Sequence, residues 1–441
     1  MTAPRPRVLV IAEAANPEWV SVPLVGWSLA RALTEVADVH LVTQVRNRDA
    51  ILRAGLTEGR DFTCIDSEAI ARPLWHLGKV LRMGDGKGWT TLQAINAVSY
   101  PYFERLVWQR FGKDIKSGAY DIVHRVTPLS PTTVSSLAKK CAKAGVPFVL
   151  GPLNGGVPWP KQFEAARRQE KEWLSYIRSA YKLLPGRGAM LANTAAILAG
   201  SRHTASEFPA SCADRVVWLP ENAIDPAKFA MRPRTGDGPL RACFIGRLVP
   251  YKGPDMLIEA ARPLLQSGAM TLDILGDGPM MPALRSMAEG VPGLTLHGWV
   301  DHAQVQSVAG ACDVLSFPSV REFGGGVVLE AMAMGLVPLI VDYAGPGELV
   351  AADTGVTVPL GDRDAIIAGF RAALSRLARD PASVSRMGHA AHARVMERFT
   401  WSAKAAQVAQ VYDWVLGRAA QRPDFSAIVS APQDGAERDV V

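Results

Sequence analysis

Short apolar runs of strand length alternate with longer stretches of helical periodicity along this chain. In the first half the runs are RVLVIAE, VHLVTQ, DIVHRV, PFVLGPL and AAILAGS, and a helical stretch ending in WSLARALTEVA separates the first two. An order of strand, helix and strand is typical of a parallel sheet covered by helices. The pattern therefore predicts an α/β domain.

A second half repeats this pattern after a cluster of helix and strand breakers. The strand-like runs there are RACFIGRL, TLDILGDG, LTLHGWV, DVLSFPS and VPLIVDYAG, and the breakers before them are Pro226, Pro233, Gly236, Gly238 and Pro239. Each run is apolar on both faces, which favours a buried parallel sheet. Open parallel sheets bind ligands at the carboxyl ends of their strands. We therefore predict a second, doubly wound α/β domain with a ligand site along that edge.

The last part of the chain changes character. Helical periodicity covers residues 363–377 and 383–416, with an interruption at 399–401, whereas residues 419–441 are polar and contain proline. A polar segment with few apolar residues cannot bury enough surface to fold. We expect helices up to residue 416 and disorder in residues 419–441.

Length and composition agree with a globular protein of two domains. The chain has 441 residues, 48% of them hydrophobic and 20% charged, and its five cysteines lack CxxC spacing. Such cysteines indicate neither a disulfide framework nor a zinc site and favour a reducing compartment. The chain opens without a signal-peptide pattern, and its longest apolar run, 331–341, is about half of the ~20 residues that a membrane span needs. We expect a cytoplasmic protein without a transmembrane segment.

Charge is distributed unevenly between the two halves. Residues 1–215 carry 28 Lys and Arg against 18 Asp and Glu, and residues 216–441 carry 20 against 24. This asymmetry can steer an anionic ligand or surface towards the first half. The basic residues form no dense patch interleaved with aromatic residues, so binding of nucleic acid is not predicted.

The segment EFGGGVVLEAMAMG carries the strongest chemical signal. Gly324, Gly325 and Gly326 bring bare backbone N–H groups to the start of a helix, whose partial positive charge favours anions such as a diphosphate. Glu322 precedes the turn and Glu330 lies about one helical turn beyond it, and carboxylates are acceptors for the hydroxyls of a sugar or ribose. The alternative is a glycine turn followed by a solvated helix glutamate.

The segment GRLVPYKGPD adds cations to the same half. Gly246 ends a strand, Arg247 and Lys252 lie in the loop after it, and Pro254 can start the next helix. Arginine offers a planar fork and lysine a mobile charge for phosphate oxygens. Together with the glycine turn, these cations predict a diphosphate site.

Two further strand ends predict small backbone turns beside the same crevice. We expect them to hold a nucleobase and ribose, although ordinary turn chemistry explains the same residue types. The residues concerned are Gly276, Gly278, His297, Trp299 and Val300.

In this order and in one half of the chain, GRLVPYKG, LGDGP, HGWV and EFGGGVVLEAMA resemble the donor-binding half of glycosyltransferase family 4, over residues 216–417. The segment FTWSAKAAQVAQVYDWV is similar to the helix by which such proteins cross back to the first domain. The resemblance implies the GT-B fold, in which two Rossmann-like domains face a cleft. It divides the chain into an acceptor-side domain (1–218), a domain that binds a nucleotide sugar (219–398), a crossover helix (399–418) and a tail (419–441).

This resemblance also implies a reaction and the residues that perform it. A retaining, metal-independent transferase would move a sugar from a UDP- or GDP-sugar, which is a substrate and not a cofactor, to a hydroxyl acceptor. Arg247 and Lys252 would contact the diphosphate, Glu322 the sugar and Glu330 the ribose. Gly324 to Val327 would bind phosphate through their amides. The Asp-x-Asp sequence at 362–364 is predicted to open a helix and not to bind a metal.

The first domain departs from the family pattern at two positions. Gly26 stands alone where the family often has paired glycines, and Val126 stands where it often has a second histidine. His124 therefore either takes over a catalytic role near the reacting sugar or is a structural residue. The sequences HRVTPLSP and GPLNGG, with Asn154, Gly155 and Gly156, resemble a branch that assembles bacterial polysaccharides, which implies an acceptor that is a glycan or lipid-linked.

An amphipathic region at 159–187 bears on the acceptor. Its positive charges could rest on anionic lipid at the inner face of the cell membrane, although a solvated helix face explains them equally well. Its charged and aromatic residues include Trp159, Lys161, Arg167, Arg168, Lys171, Trp173, Arg178 and Lys182.

Three other functions compete with transfer. Sugar-nucleotide epimerases or hydrolases of a similar fold would need acid and base groups in the first domain, for which Glu13, Asp121 and Glu172 are candidates. A binding scaffold with lost catalysis would fit the departures at Gly26 and Val126. A dinucleotide oxidoreductase is not favoured, because no GxGxxG opens the first helix of either domain.

Overall fold

The computed structural model describes residues 4–69, 89–155, 157–163, 182, 184–231, 238–322 and 324–426. Its strands form two parallel sheets, one in each half of the chain. Helices cover both sheets, as the alternation of strand and helix patterns predicted.

The first sheet has seven strands in the order β3-β2-β1-β4-β5-β6-β7. The adjacent strands β4 and β5 are buried along their whole length, including the polar residues His124, Arg125 and Thr127 of β4. The strands are β1 (Arg7–Ala12), β2 (Asp38–Gln44), β3 (Phe62–Ile65), β4 (Ile122–Thr127), β5 (Phe148–Leu153), β6 (Ala196–Ala199) and β7 (Val216–Trp218). The helices are α1 (Val22–Leu33), α2 (Arg48–Arg53), α3 (Trp89–Lys116), α4 (Leu137–Lys143), α5 (Arg187–Ala192) and α6 (Arg202–Ser206).

The second sheet has six strands in the order β10-β9-β8-β11-β12-β13. The order reverses direction between β8 and β11, which is the switch point where doubly wound sheets bind ligands. The strands are β8 (Leu240–Ile245), β9 (Met270–Leu275), β10 (Leu294–Gly298), β11 (Val314–Phe317), β12 (Val337–Asp342) and β13 (Val356–Pro359). The helices are α7 (Pro254–Gln266), α8 (Met281–Ala288), α9 (His302–Ala309), α10 (Gly326–Ala333), α11 (Ala344–Leu349), α12 (Arg363–Arg379) and α13 (Pro381–Arg398).

The chain crosses between the two domains twice, and the two crossing points lie side by side. The amide of Ile224 donates to the carbonyl of Phe399 at 2.8 Å, and the amide of Trp401 donates to the carbonyl of Ile224 at 3.2 Å. Helix α14 (Trp401–Val415) then packs on α1, so the end of the chain completes the first domain. This is the crossover predicted from the resemblance.

Residues 419–426 are ordered, contrary to the expectation of disorder from residue 419. The Arg422 guanidinium donates to the carbonyls of Ala213 at 2.7 Å and Val216 at 2.8 Å, and Phe425 is buried. One arginine and one aromatic residue are enough to anchor a polar segment that composition alone assigns to disorder. Residues 427–441 lie outside the described part.

None of the helices in the described ranges has the length and apolar composition needed to cross a membrane.

Candidate functional site

The loops after β8 and β9 lie against each other at the carboxyl edge of the second sheet. A Cβ atom on Gly276 would lie 1.9 Å from the carbonyl oxygen of Gly246, and one on Gly278 would lie 2.5 Å from that of Leu248. The amide of Leu248 also donates to the carbonyl of Asp277 at 3.0 Å. Glycine is therefore needed here for close approach of two backbones, and the predicted residues Gly246, Gly276 and Gly278 come together.

The turn after β10 joins the same edge. The amide of Gly276 donates to the carbonyl of Gly298 at 2.8 Å. The ring of His297 is held by Asp273, with Nε2 and Oδ1 2.6 Å apart, so its side chain already has a protein partner. Trp299 is 76% exposed and Val300 is half-buried. The turn thus places one large exposed aromatic side chain beside the glycine loops.

Lys252 and Glu322 form an ion pair between the loop after β8 and the loop after β11. Nζ of Lys252 contacts Oε2 of Glu322 and lies 4.8 Å from the ring centre of Phe317, the last residue of β11. The two charged side chains are 15% and 19% exposed, so both can still be reached by a ligand. Arg247 is exposed in the same loop as Lys252. Two of the predicted site residues are therefore in direct contact, although they lie 70 positions apart.

The glycine turn leads directly into α10, as predicted. Gly325 has φ of 59°, which only glycine adopts without strain, and no side chain of the described residues caps the helix there. Val327 lies in the first turn of the helix and Glu330 lies about one turn beyond its start, and both are half-buried. The first amides of a helix without a side-chain cap are donors for an anion, and the helix dipole favours negative charge at this end.

Glu221, in the linker between the domains, lies directly beneath this turn. A Cβ atom on Gly324 would lie 1.7 Å from Oε1 of Glu221. The same oxygen accepts hydrogen bonds from Asn154 at 2.6 Å and from Asn222 at 3.1 Å. Asn154, predicted on the acceptor side, thus ties the end of β5 to the linker. Glu221 is 4% exposed, and this burial raises its pKa to about 7.

Lys404 of α14 is a buried cation whose charge acts on Glu221. It is 1% exposed, and its ammonium has no hydrogen-bond partner within the part of the chain that the structure describes. It lies 5.6 Å from the ring centre of Phe399. Burial lowers the pKa of Lys404 to about 7, and the Glu221 charge opposes this shift. A second acid and base pair therefore lies behind the site, out of solvent.

The sequence-based list of site residues missed Glu221 and Lys404. One signal was available for Glu221, because it interrupts the apolar run RVVWLPENAI between two domains. A carboxylate in such a run is almost never fully buried unless it is paired. Lys404 had no comparable signal, because lysine is common in amphipathic helices.

His124 is fully buried at β4 and has protein partners on both ring nitrogens. Nε2 lies 2.7 Å from the carbonyl of Gly151 and must donate to it, so Nδ1 accepts from the Tyr412 hydroxyl at 2.7 Å. Burial lowers the pKa of His124 to about 4, which keeps the ring neutral. Tyr412 belongs to α14, so this histidine holds the crossover helix on the first domain. The geometry favours the structural alternative over the catalytic one.

Two other predicted acceptor-side glycines have packing roles. A Cβ atom on Gly26 would lie 2.1 Å from the carbonyl oxygen of Ala14, so Gly26 lets α1 approach the loop after β1. Gly155 has φ of 146°, and its carbonyl accepts from the Thr204 hydroxyl at 3.0 Å. Gly156 lies outside the described residues.

The two described acid and base candidates of the epimerase reading, Glu13 and Asp121, lie at opposite ends of the strands of the first sheet. Asp121 pairs with the Arg7 guanidinium at 2.7 Å before β4 begins, at the opposite edge of the first sheet. Glu13 follows β1, and burial raises its pKa. Glu172 lies outside the described residues. Asp362 caps α12 by accepting from the Ala365 amide at 2.8 Å, as expected for a helix start.

The amphipathic region at 159–187 is described only at its ends. Trp159 is 7% exposed and lies against the second domain, and Lys182 pairs with Glu207 at 3.8 Å. The other basic residues up to Arg178 lie outside the described side chains. The membrane contact predicted for this region stays a prediction.

Comparison with known proteins finds a family match within the second domain. Residues 239–376 match the family model described as glycosyl transferases group 1. Glycogen synthase of Mycobacterium tuberculosis is 33% identical over 199 residues, which are 43% of this chain and 47% of that protein. A GDP-mannose-dependent phosphatidylinositol monomannoside mannosyltransferase of Mycolicibacterium smegmatis is 33% identical over 207 residues, 43% of this chain and 52% of that protein. The chain spans about half the length of these relatives.

Solved structures extend the likeness to both domains. The HepE protein of Anabaena, in complex with UDP, superposes with a TM-score of 0.59 at 15% identity and covers 93% of this chain and 100% of its own. A glycosyltransferase of Rickettsia africae superposes with a TM-score of 0.60 at 13% identity, over 94% and 100%. At such identities the likeness shows the fold alone. Over residues 239–376 the chain is therefore similar to the glycosyl transferases group 1 family, and the chain as a whole has the two-domain GT-B fold.

Proposed function

We propose that this protein is a retaining glycosyltransferase that moves a sugar from a nucleotide diphosphate donor to a hydroxyl acceptor in the assembly of bacterial polysaccharide or glycolipid. The observation that carries the proposal is the contact between Lys252 and Glu322 beside the uncapped glycine start of α10. One group suits an anionic leaving group and the other suits sugar hydroxyls. The family match of the second domain and the polysaccharide-related names among its relatives support the same function.

In this proposal the site works by stabilising the diphosphate as it leaves. The bond between the sugar C1 and the phosphate oxygen breaks, and the charge that develops is met by Lys252, Arg247 and the first amides of α10. The acceptor hydroxyl forms the new bond on the same face of the sugar, and its proton passes to an oxygen of the departing phosphate. No protein nucleophile is needed in such a step.

Glu322 has two partners in this scheme. Without donor, its charge is balanced by Lys252, which keeps a half-buried carboxylate from being left unpaired. With donor, Lys252 can turn to the phosphate while Glu322 accepts hydrogen bonds from sugar hydroxyls. Glu330, about one turn beyond the start of α10, would accept from the ribose.

The donor nucleotide is proposed as UDP or GDP. HepE was solved with UDP, and the mycobacterial mannosyltransferase is GDP-mannose-dependent. No metal is assigned a role, because Lys252 and Arg247 can supply the positive charge that a metal would bring. Full turnover in excess EDTA is the expected result, and loss of activity that Mg²⁺ or Mn²⁺ restores would contradict this part of the proposal.

The central test measures turnover of UDP- and GDP-sugars by Lys252→Ala and Glu322→Gln, with Lys113→Ala on the exposed surface of the first domain as control. Each site variant should lose about 10²- to 10³-fold in kcat/KM, because one stabilising group at the leaving phosphate or sugar is gone. Far-UV circular dichroism and melting should stay close to wild type. Wild-type turnover in either site variant would overturn the assignment.

Product analysis separates transfer from epimerisation or hydrolysis. Each donor is incubated with and without a panel of hydroxyl acceptors that includes lipid-linked saccharides. A transferase should form a glycosylated acceptor with retained anomeric configuration. An isomerised or free sugar whose amount does not depend on acceptor would instead show the competing reaction.

The acceptor side is proposed to meet anionic membrane through the basic region at 159–187, which the sequence composition supports. The test is flotation of the protein with vesicles that contain an anionic lipid, at low and high salt. Salt-sensitive flotation is expected. Absence of binding at both salt concentrations would contradict the membrane contact without affecting the donor chemistry.

A further inference from the structure

A short segment of the first domain, residues 157–159, lies directly on the second domain. The carbonyl of Val157 accepts from Nε of Arg321 at 3.4 Å, and the carbonyl of Pro158 accepts from the Tyr343 hydroxyl at 3.0 Å. Both hydrogen bonds cross from one domain to the other. We call these three residues the docking segment.

The indole of Trp159 adds two ring contacts with the second domain. It is 7% exposed and meets the Tyr251 ring edge to face, with centres 5.7 Å apart and an angle of 87° between the planes. The guanidinium carbon of Arg321 lies 5.0 Å from the indole centre. Both arrangements are favourable, because the positive edge of an aromatic ring and a cation are each attracted to the negative face of another ring.

Tyr251 and Arg321 are the immediate neighbours of the two predicted donor residues. Tyr251 precedes Lys252, and Arg321 precedes Glu322. The two loops are also joined through the backbone, because the carbonyl of Tyr251 accepts from the Val320 amide at 2.9 Å. One indole from the first domain thus contacts both loops that carry the ion pair.

We propose that Trp159 is a positioning residue that holds the Lys252 and Glu322 loops together for donor binding, an inference that rests on the function proposed above. The donor site would then be fully formed only while the docking segment of the first domain is seated on it. Loss of the indole removes one aromatic contact and one cation contact and leaves a gap between the two loops. Lys252 and Glu322 would keep their charges but lose their fixed separation.

The first experiment titrates the full chain with UDP and with GDP by calorimetry. Trp159→Ala should weaken binding of the preferred nucleotide about ten-fold, whereas Trp159→Phe, which keeps a ring between Tyr251 and Arg321, should stay within about three-fold of wild type. The control is Trp108→Ala, a half-buried tryptophan of α3 whose ring lies near Lys116 and Lys140 of the first domain. Affinity in the control should be unchanged. Equal losses in Trp159→Ala and Trp108→Ala, or no rescue by phenylalanine, would overturn the positioning role.

The second experiment needs no ligand. Hydrogen exchange is followed at the amide of Val320 and at that of Lys252, which donates to the carbonyl of Val249 at 3.0 Å. Exchange at both amides should become about ten-fold faster in Trp159→Ala and not in Trp108→Ala, because only the first variant frees the two loops. Unchanged exchange would overturn the inference even if nucleotide affinity falls, and faster exchange with wild-type affinity would overturn it as well.

The two proposals fail in different ways. If the wild-type protein binds neither UDP nor GDP, the proposed function is wrong, and the exchange data alone decide whether Trp159 holds the loops. If wild type binds nucleotide and the Trp159 variants match it in affinity and exchange, the proposed function stands and the positioning role is wrong.

Discussion

Two pairs of lysine and glutamate lie close to the place where the chain crosses between the domains. They have the same residue types but differ in exposure and in hydrogen bonding. Lys252 and Glu322 touch each other and are 15% and 19% exposed. Lys404 and Glu221 are 1% and 4% exposed, and within the described residues the Lys404 ammonium makes no hydrogen bond. Burial moves the pKa values of this second pair towards each other, both to about 7.

This difference separates ligand chemistry from domain packing. A pair that solvent still reaches can exchange its partner for a ligand at low desolvation cost, because its charges are partly hydrated already. A pair out of solvent carries a large desolvation cost and tends towards neutral forms. We therefore assign Lys252 and Glu322 to the donor and the buried pair to the contact between linker, first domain and crossover helix.

The strongest test of this comparison exchanges the two charges of the exposed pair. In the double variant Lys252→Glu with Glu322→Lys the ion pair is kept, so melting should stay within a few degrees of wild type. Donor turnover should fall at least about 10³-fold, because a carboxylate now faces the diphosphate and an ammonium faces the sugar. Turnover near wild type would mean that the pair is only structural.

A methyl group between the two pairs should have the next largest effect. Gly324→Ala places a Cβ atom 1.7 Å from Oε1 of Glu221, so either the glycine turn or the buried carboxylate must move. We expect about a 100-fold loss of kcat/KM for the donor, because the first amides of α10 would no longer point at the diphosphate. Gly188→Ala in α5 is the matched control, because no atom lies near its added Cβ. A mild effect like that of the control would show that the turn is not held by Glu221.

The buried pair should be visible in the pH dependence of stability. The pKa of Lys404 is about 7 in the folded protein and about 10.5 when unfolded, so between these values only the unfolded chain binds the proton. The free energy of unfolding therefore rises with pH in this window, by up to about 1.4 kcal/mol per pH unit from this group. Lys404→Met removes that rise, so its gain in melting temperature over wild type should be largest near pH 7 and shrink towards pH 9.5.

Two variants control this measurement. Lys113→Met, at an exposed lysine, should differ from wild type by the same amount at every pH. Glu221→Gln should change the pH dependence of stability below pH 7 instead. The carboxyl of the folded protein keeps its proton up to about pH 7, whereas that of the unfolded chain loses it near pH 4.5. This group makes wild type lose stability as pH rises from 4.5 to 7, and the variant should not. Curves that run parallel to wild type would show that the two groups are not buried in the folded protein.

The smallest effect on turnover is expected from removing the hydrogen bond between Tyr412 and His124. Tyr412→Phe removes the hydroxyl that donates to Nδ1 and leaves that nitrogen buried without a donor, at a cost of about 1–3 kcal/mol in the free energy of unfolding. Donor turnover below the melting transition should change less than about two-fold, since a transition-state role is not expected for a buried neutral ring. A ten-fold loss of kcat with unchanged stability would restore the catalytic alternative for His124.

The second domain was more readable from sequence than the first for a physical reason. Its site consists of loops at strand ends, where Gly246, Gly276, Gly278 and the turn at 324–326 are needed for close backbone approach or for an unusual φ angle. Such needs leave a local signal in the residue types. The two parallel sheets were predictable from another signal, the alternation of strand-length apolar runs with helical stretches.

The residues that sequence reasoning missed depend on long-range packing. Glu221 is recognisable only from its burial. Lys404 is recognisable only because α14 returns to the first domain and its side chain is buried there. The sequence around His124 fits two roles, and the residue that favours the structural one, Tyr412, lies 288 positions later in the chain. Trp159 was grouped with a membrane-facing region, whereas its ring lies against Tyr251. None of these contacts has a periodicity or spacing that the sequence alone could reveal.

The pairing of Ile224 with the backbone on both sides of Thr400 has a consequence for engineering. The chain leaves the first domain and re-enters it at neighbouring points, so residues 225–399 are an insertion whose ends lie side by side. A module with such ends can be exchanged for that of a relative without altering the host's own connectivity. Chimeras cut at this bridge would transplant donor preference while the host keeps its acceptor, provided that the graft retains the partners of Trp159.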